Sequence, residues 1–294
     1  MARKTSNTPL QHRQIGAPPS LYRFGGSNDS FVYSGDRLCP TWSPRRGYRL
    51  TAEHRRQLCT HLAAHAAVSN MGSAWVYMLA VAPVGVRSWT IGDRKAQSLG
   101  RIWGVCSTSD FYCSHLAWDE GGQSYMADRE GWEFEIESRY ESLMQLRMQA
   151  DSVVSGFPTL DEVLAEDRRI MRAQACGYLA GHIADGITVG MEATEALRLY
   201  DRRDTQYVGP SDIAVAQGLT DLLPPGEYEH AVRLTEEALH RPEVWTVVQR
   251  VASELEQLGL IEGDPCEGDV QEQLPDREQD WPPAADRAAP PQQA

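Results

Sequence analysis

The sequence predicts a mainly α-helical protein with a small β region, an α+β fold built from a helical body, an extended N-terminal arm and a disordered C-terminal tail. Three observations carry this expectation. Apolar residues recur at helical spacing through most of the chain beyond residue 130. Short runs containing Val, Ile, Trp and Tyr between Gly and Pro are confined to residues 71–130. Both ends are rich in residues that break regular structure. The organisation expected is an arm over 1–50, a mixed α/β segment over 51–150, a helical segment over 151–261 and an acidic Pro/Ala-rich tail over 262–294.

Residues 1–50 hold five Pro and five Gly, and eight Arg or Lys against Asp29 and Asp36 alone. Pro18-Pro19, Gly25-Gly26 and Ser43-Pro44 leave no room for a long helix or strand. Six aromatics are interleaved with the cations, among them Tyr22, Phe24, Trp42 and Tyr48.

Thr51 to Val68 then reads as a helix, with Thr51 as its N-cap and Glu53 in its first turn. Three short runs, 74–79, 86–91 and 101–106, read as strands. Trp132, Ile136, Tyr140, Leu143 and Met144 share one face of a helix, although Glu133, Glu135 and Glu137 alternate with Phe134 and Ile136 as they would in a strand. Thr159 and Glu162 have the spacing of a capping box, opening a helix that closes near Gly186. Helices are expected at about 191–202 and 211–222, from Pro224-Pro225-Gly226 to about His240, and from Pro242 onward. The last carries a stripe of Trp245, Val248, Val251, Ala252, Leu255 and Leu258. Residues 262–294 contain nine acids, two Arg and six Pro, too little apolar surface to offset ordering entropy.

Charge is divided along the chain. Residues 1–110 carry 14 Arg and Lys against 5 acids, and residues 111–294 carry 14 against 36, giving the net −13. A change of sign on this scale favours an anionic partner at one end, self-association between the ends, or both. The longest apolar stretch, 74–84, is half the length of a spanning helix, so no membrane association is expected. The first residues, MARKTSNTPLQHRQ, lack the apolar core of a secretion signal. Six cysteines, at 39, 59, 106, 113, 176 and 266, form no CxxC pair. Such sparse cysteines fit a reducing, cytoplasmic setting and a chain that is not secreted.

No complete catalytic signature is present. His54, His61 and His65 lie on one face of the first helix, and His61 and His65 have the i, i+4 spacing that lets two imidazoles share a metal, but Leu62-Ala63-Ala64 between them departs from HExxH. The expectation is a solvated or partly packed histidine face, with no metal and no cofactor. Cys106, Cys113 and His115 gather around Asp110, which offers a thiol and a base to an enzyme. Asp119, Glu120, Asp128, Glu130 and Glu133 are acidic but match no Ca²⁺ or Mg²⁺ loop.

The arm gives the clearest expectation. Arg23, Arg45, Arg46 and Arg49, with Trp42 and Tyr48, combine charge with stacking surface, the pairing that holds single-stranded RNA without sequence readout. Trp245, Val248, Val251 and Leu255 are the candidate subunit interface. The layout of helical body, basic arm and acidic tail resembles that of viral capsid and nucleocapsid proteins. It implies a non-enzymatic, self-associating assembly protein, a homo-oligomer that contacts single-stranded RNA through its arm and is virion-associated if viral. The alternatives are an enzyme using the Cys106–His115 region and a helical adaptor or regulatory protein.

Overall fold

A computed structural model describes residues 29–32, 50–72, 74–86, 89, 103–109, 112–119, 124–149, 158–204, 212–263 and 265–266. Most of the arm, including Arg23, Trp42, Arg45, Arg46, Tyr48 and Arg49, lies outside these residues, as does most of the tail. The fold is mainly α with a small β region, as the sequence implied.

Strand β1 (Asp29–Val32) precedes helix α1 (Ala52–Met71). The Thr51 hydroxyl accepts the His54 amide at 3.1 Å, satisfying one of the amides that a helix start leaves without an internal partner. Strands β2 (Val76–Val81) and β3 (Gly104–Ser109) follow. Of the strand expected over 86–91, only residues 86 and 89 are described and neither is in a strand. A single 3-10 turn (Cys113–His115) leads into the antiparallel pair β4 (Leu116–Asp119) and β5 (Ser124–Ala127).

Helix α2 (Arg129–Gln149) settles the ambiguity at 132–137 in favour of helix. Asp128 Oδ1 accepts the Gly131 amide at 3.0 Å at its start, and Trp132 and Ile136, one turn apart, are both buried. The capping box is present at α3 (Leu160–Thr188): Thr159 Oγ1 accepts the Glu162 amide at 3.3 Å, and Glu162 Oε2 accepts the Thr159 amide at 2.7 Å. Helices α4 (Ala193–Asp204), α5 (Asp212–Asp221), α6 (Glu227–His240) and α7 (Pro242–Leu258) complete the body, with Pro242 in the first turn of α7.

Gly259, at φ 76°, ends α7 in a left-handed conformation that side chains disfavour, and it turns the chain straight into β6 (Leu260–Glu262). β6 thereby pairs with β2 in a four-stranded antiparallel sheet of order β1-β3-β2-β6. A strand of three residues is too short to show a period in sequence. Packing also runs past the boundary expected at 262, because Cys266 is buried and Arg250 Nη2 donates to the Pro265 carbonyl at 2.9 Å.

The core centres on α1, which packs against α3 on one side and α7 on another, beneath β2 and β3. This corrects the expected interface. Val248, Val251 and Leu255 are wholly buried within the chain's own core, and Trp245 is half-buried at its margin. Most of the apolar stripe of α7 is buried against the chain itself, chiefly against α1, while Leu258 at its end is exposed. No described helix is long and apolar enough to cross a membrane.

Candidate functional site

Helices α1 and α3 run antiparallel in close contact because small residues line their seam. Along α1 the facing residues are His61, His65, Ser69 and Gly72, and along α3 they are Asp185, Gly181, Gly177 and Ala173. A Cβ added at Gly177 would stand 2.5 Å from Ser69 Oγ, and one at Gly72 would stand 2.7 Å from the Ala173 Cβ. Such closeness brings the backbone of α3 within hydrogen-bond reach of the α1 imidazoles.

His61, His65 and His182 are wholly buried, and Asp185 and Asp212 nearly so. Of the histidine face expected to be solvated or partly packed, His61 and His65 are thus sealed in the core, since α3 covers them, while His54 at the start of α1 is partly exposed. His61 Nδ1 lies 2.9 Å from Asp185 Oδ2, and His65 Nδ1 lies 2.7 Å from the Gly177 carbonyl. Asp212, the first residue of α5, brings its Oδ2 to 3.6 Å from His65 Nε2 and 3.7 Å from His182 Nε2. The His61 ring stands edge-on to the other two, at 75° to His65 and 83° to His182, with centroids 4.6 and 5.1 Å away.

Hydrogen-bond roles follow from these partners. A carbonyl oxygen only accepts, so His65 carries its proton on Nδ1, and the Asp185 carboxylate assigns the His61 proton to Nδ1 likewise. Both Nε2 atoms then present lone pairs, yet they face each other across 3.0 Å. Burial lowers the His61 pKa to about 3 and also lowers that of His65, so an extra proton between the two rings is disfavoured near neutrality. Two acceptors held this close, with two carboxylates beside them in the core, form an electron-rich pocket suited to a cation. The donor atoms of His61, His65 and Asp212, and those of His61, His182 and Asp185, each lie within 4.8 Å of one another.

Of this group, sequence spacing alone points to His61 and His65. A signal for two more is present in His182 and Asp185, which are three residues apart and so share a helix face. Asp212 offers no local signal, since an acid in the first turn of a helix is ordinary.

The other candidates lie elsewhere. Cys106 is buried in β3, Cys113 Sγ lies 3.7 Å from the Tyr178 hydroxyl, and His115 Nε2 lies 3.2 Å from Glu135 Oε2. Asp110 and Glu120 fall outside the described residues. Asp128 caps α2, and Glu133 pairs with Arg168 at 3.7 Å. Burial pushes the thiols of Cys59 and Cys176 up to about 12, far from the low values of reactive cysteines. A groove of about 410 Å³ lies between α4, α5 and α6, floored by Leu197, Ile213 and Val232.

No protein-family model matches this sequence, and no match is found among curated proteins or among solved structures.

Proposed function

We propose that this protein is a non-enzymatic metalloprotein whose helical body is cross-linked by a divalent transition-metal ion. The observation that carries this reading is the 3.0 Å approach of His61 Nε2 to His65 Nε2, with both rings donating their protons in the opposite direction. A cation between them converts a repulsive contact into two bonds, and it balances the charge of the buried carboxylates. Ligands from α1 and α5, His61, His65 and Asp212, then meet at one point, so the ion ties together residues more than 140 positions apart in sequence.

The structural role, as opposed to a catalytic one, is supported by depth. Catalytic metal sites keep a position open to substrate, whereas these side chains are enclosed by their own helices. The RNA-binding expectation for the arm continues to rest on sequence alone. Self-association through α7 is not part of this reading, because that face is core.

Metal analysis of the purified full chain tests the proposal. The expected result is about one equivalent of zinc, or of a related ion, per chain, lost in His61→Ala and His65→Ala. A wild-type chain that carries no metal and takes up none on titration with Zn²⁺ or Co²⁺ would overturn it.

A further inference from the structure

The groove between α4, α5 and α6 shares no lining residue with the histidine cluster, and its two charged walls differ in sign. We infer that it binds a short apolar peptide with free ends, whose carboxylate meets Arg198 of α4 and whose ammonium meets the acidic wall of α6.

Helical spacing builds the site. On α6, Glu229, Val232, Arg233 and Glu236 fall at i, i+3, i+4 and i+7, so one face turns apolar and charged groups together toward the groove. On α4, Leu197 and Arg198 stand one turn beyond Thr194, and on α5 Gln217 stands one turn beyond Ile213. Leu197, Ile213 and Val232 are buried, whereas Arg198, Glu229 and Arg233 are exposed. An apolar floor under a polar rim, enclosing about 410 Å³, has the size and make-up of a small-ligand site.

The charges select the ligand. Glu229 and Glu236 outnumber Arg233 on the α6 wall, while Arg198 is the charged residue of the α4 wall among the described lining residues. Arg198 makes no ion pair among the described residues. Glu236 also shapes the groove: its Oε1 accepts the Ala193 amide at 3.1 Å, which fixes the start of α4 against α6. A ligand of one charge type would satisfy one wall and oppose the other, so complementarity favours a cationic end and an anionic end on one molecule. The planar fork of Arg198 suits a carboxylate, which it can meet with two parallel hydrogen bonds.

Reach sets the length. Axes of packed helices stand about 8–10 Å apart. An extended residue spans about 3.5 Å, so a peptide of two or three residues reaches from wall to wall. A free amino acid carries both charges on one carbon and falls short. Apolar side chains on such a peptide cover Leu197, Ile213 and Val232. None of this depends on an ion bound at the histidines.

The test is calorimetric titration of the full chain with trileucine, beside its N-acetylated, C-amidated and doubly blocked forms. Trileucine should bind, and each single block should weaken binding about two- to fivefold, the worth of one exposed ion pair. Arg198→Gln should erase the difference between trileucine and its amide while keeping the difference between trileucine and its acetylated form. Glu229→Gln should narrow the acetyl difference alone. Both positions are exposed, and circular dichroism checks that each variant keeps its helices. The comparison of the four peptides is read on the wild-type chain, so it stands even if a variant fails to fold. Equal binding of all four forms would overturn the inference. So would tightest binding by the doubly blocked form, which mimics an internal segment of a protein chain. Absence of trileucine binding at millimolar concentration would overturn it too, as would an amide difference that survives in Arg198→Gln.

Discussion

Gly181 of α3 lies against His65 of α1 with no room for a methyl group between them: a Cβ at that position would come within 2.3 Å of His65 Nε2. A contact this short forces side chain or backbone to move, and both rings are held from behind by hydrogen bonds.

Gly181→Ala should therefore destabilise the protein by about 1–3 kcal/mol, the usual cost of overpacking a tight core. It should also reduce metal content, because the added methyl occupies the space into which the imidazoles point. Urea denaturation together with elemental analysis checks both. A variant with wild-type stability and wild-type metal content would show that the seam between α1 and α3 is looser than described.

Arg172 of α3 and Glu227 of α6 are nearly buried, and they meet through paired hydrogen bonds: Nη2 donates to Oε1 at 2.7 Å, and Nε donates to Oε2. Removing one charge leaves the other without its partner in a poorly solvated place, which costs more than the pair contributes. Glu227→Ala should cost about 3 kcal/mol, and the double change Arg172→Met with Glu227→Met should recover most of it. Equal losses in the single and double variants, measured by chemical denaturation, would show that packing rather than stranded charge dominates.

How far the sequence reveals this architecture depends on the range of the signal. Caps and stripes act over three to eight residues, so Thr51, the Thr159–Glu162 box and Pro242 each mark a helix start that the structure contains. A stripe says which residues turn inward together but not what they meet. The α7 face could equally have met a second chain, and its partner proves to be α1. His61 and His65 show the same limit. Their spacing places them on one face, but Asp185 and Asp212 approach only once α3 and α5 have packed, 124 residues and more away. The tight seam is foreshadowed by Gly177, Gly181 and Asp185 at intervals of four, a pattern that gains meaning only beside the matching interval of His61, His65 and Ser69.

The capping box gives a pH dependence with a definite sign. The backbone hydrogen bond from Thr159, joined by its side-chain bond, holds the Glu162 carboxyl below its ordinary value of 4.5. A carboxyl depressed by folding contributes stability above its unfolded value, and that contribution fades as pH falls through the folded one. Glu162→Ala should therefore be less stable than wild type at pH 7, and the difference should shrink as the pH is lowered below about 4. Thr159→Ala should cost about 1 kcal/mol at neutral pH. A gap between wild type and Glu162→Ala that stays constant down to pH 2.5 would remove the carboxylate from the account.

The α7 face separates core from interface most sharply. Leu255 is wholly buried, and its carbonyl accepts the Gly259 amide at 2.8 Å, so it sits where the helix ends and β6 begins. Leu255→Ala should open a cavity in the core at a cost of about 2–5 kcal/mol. Trp245 is half-buried at the edge of the same face, so Trp245→Ala should cost less, under about 2 kcal/mol, although it removes far more atoms. Neither variant should change the mass of the protein in solution, because neither side chain is offered to a second copy. Urea denaturation gives the first two quantities and light scattering the third. Should Leu255→Ala retain the wild-type midpoint while its mass falls to that of a smaller oligomer, α7 would be an interface after all, and its burial against α1 would not describe the protein in solution.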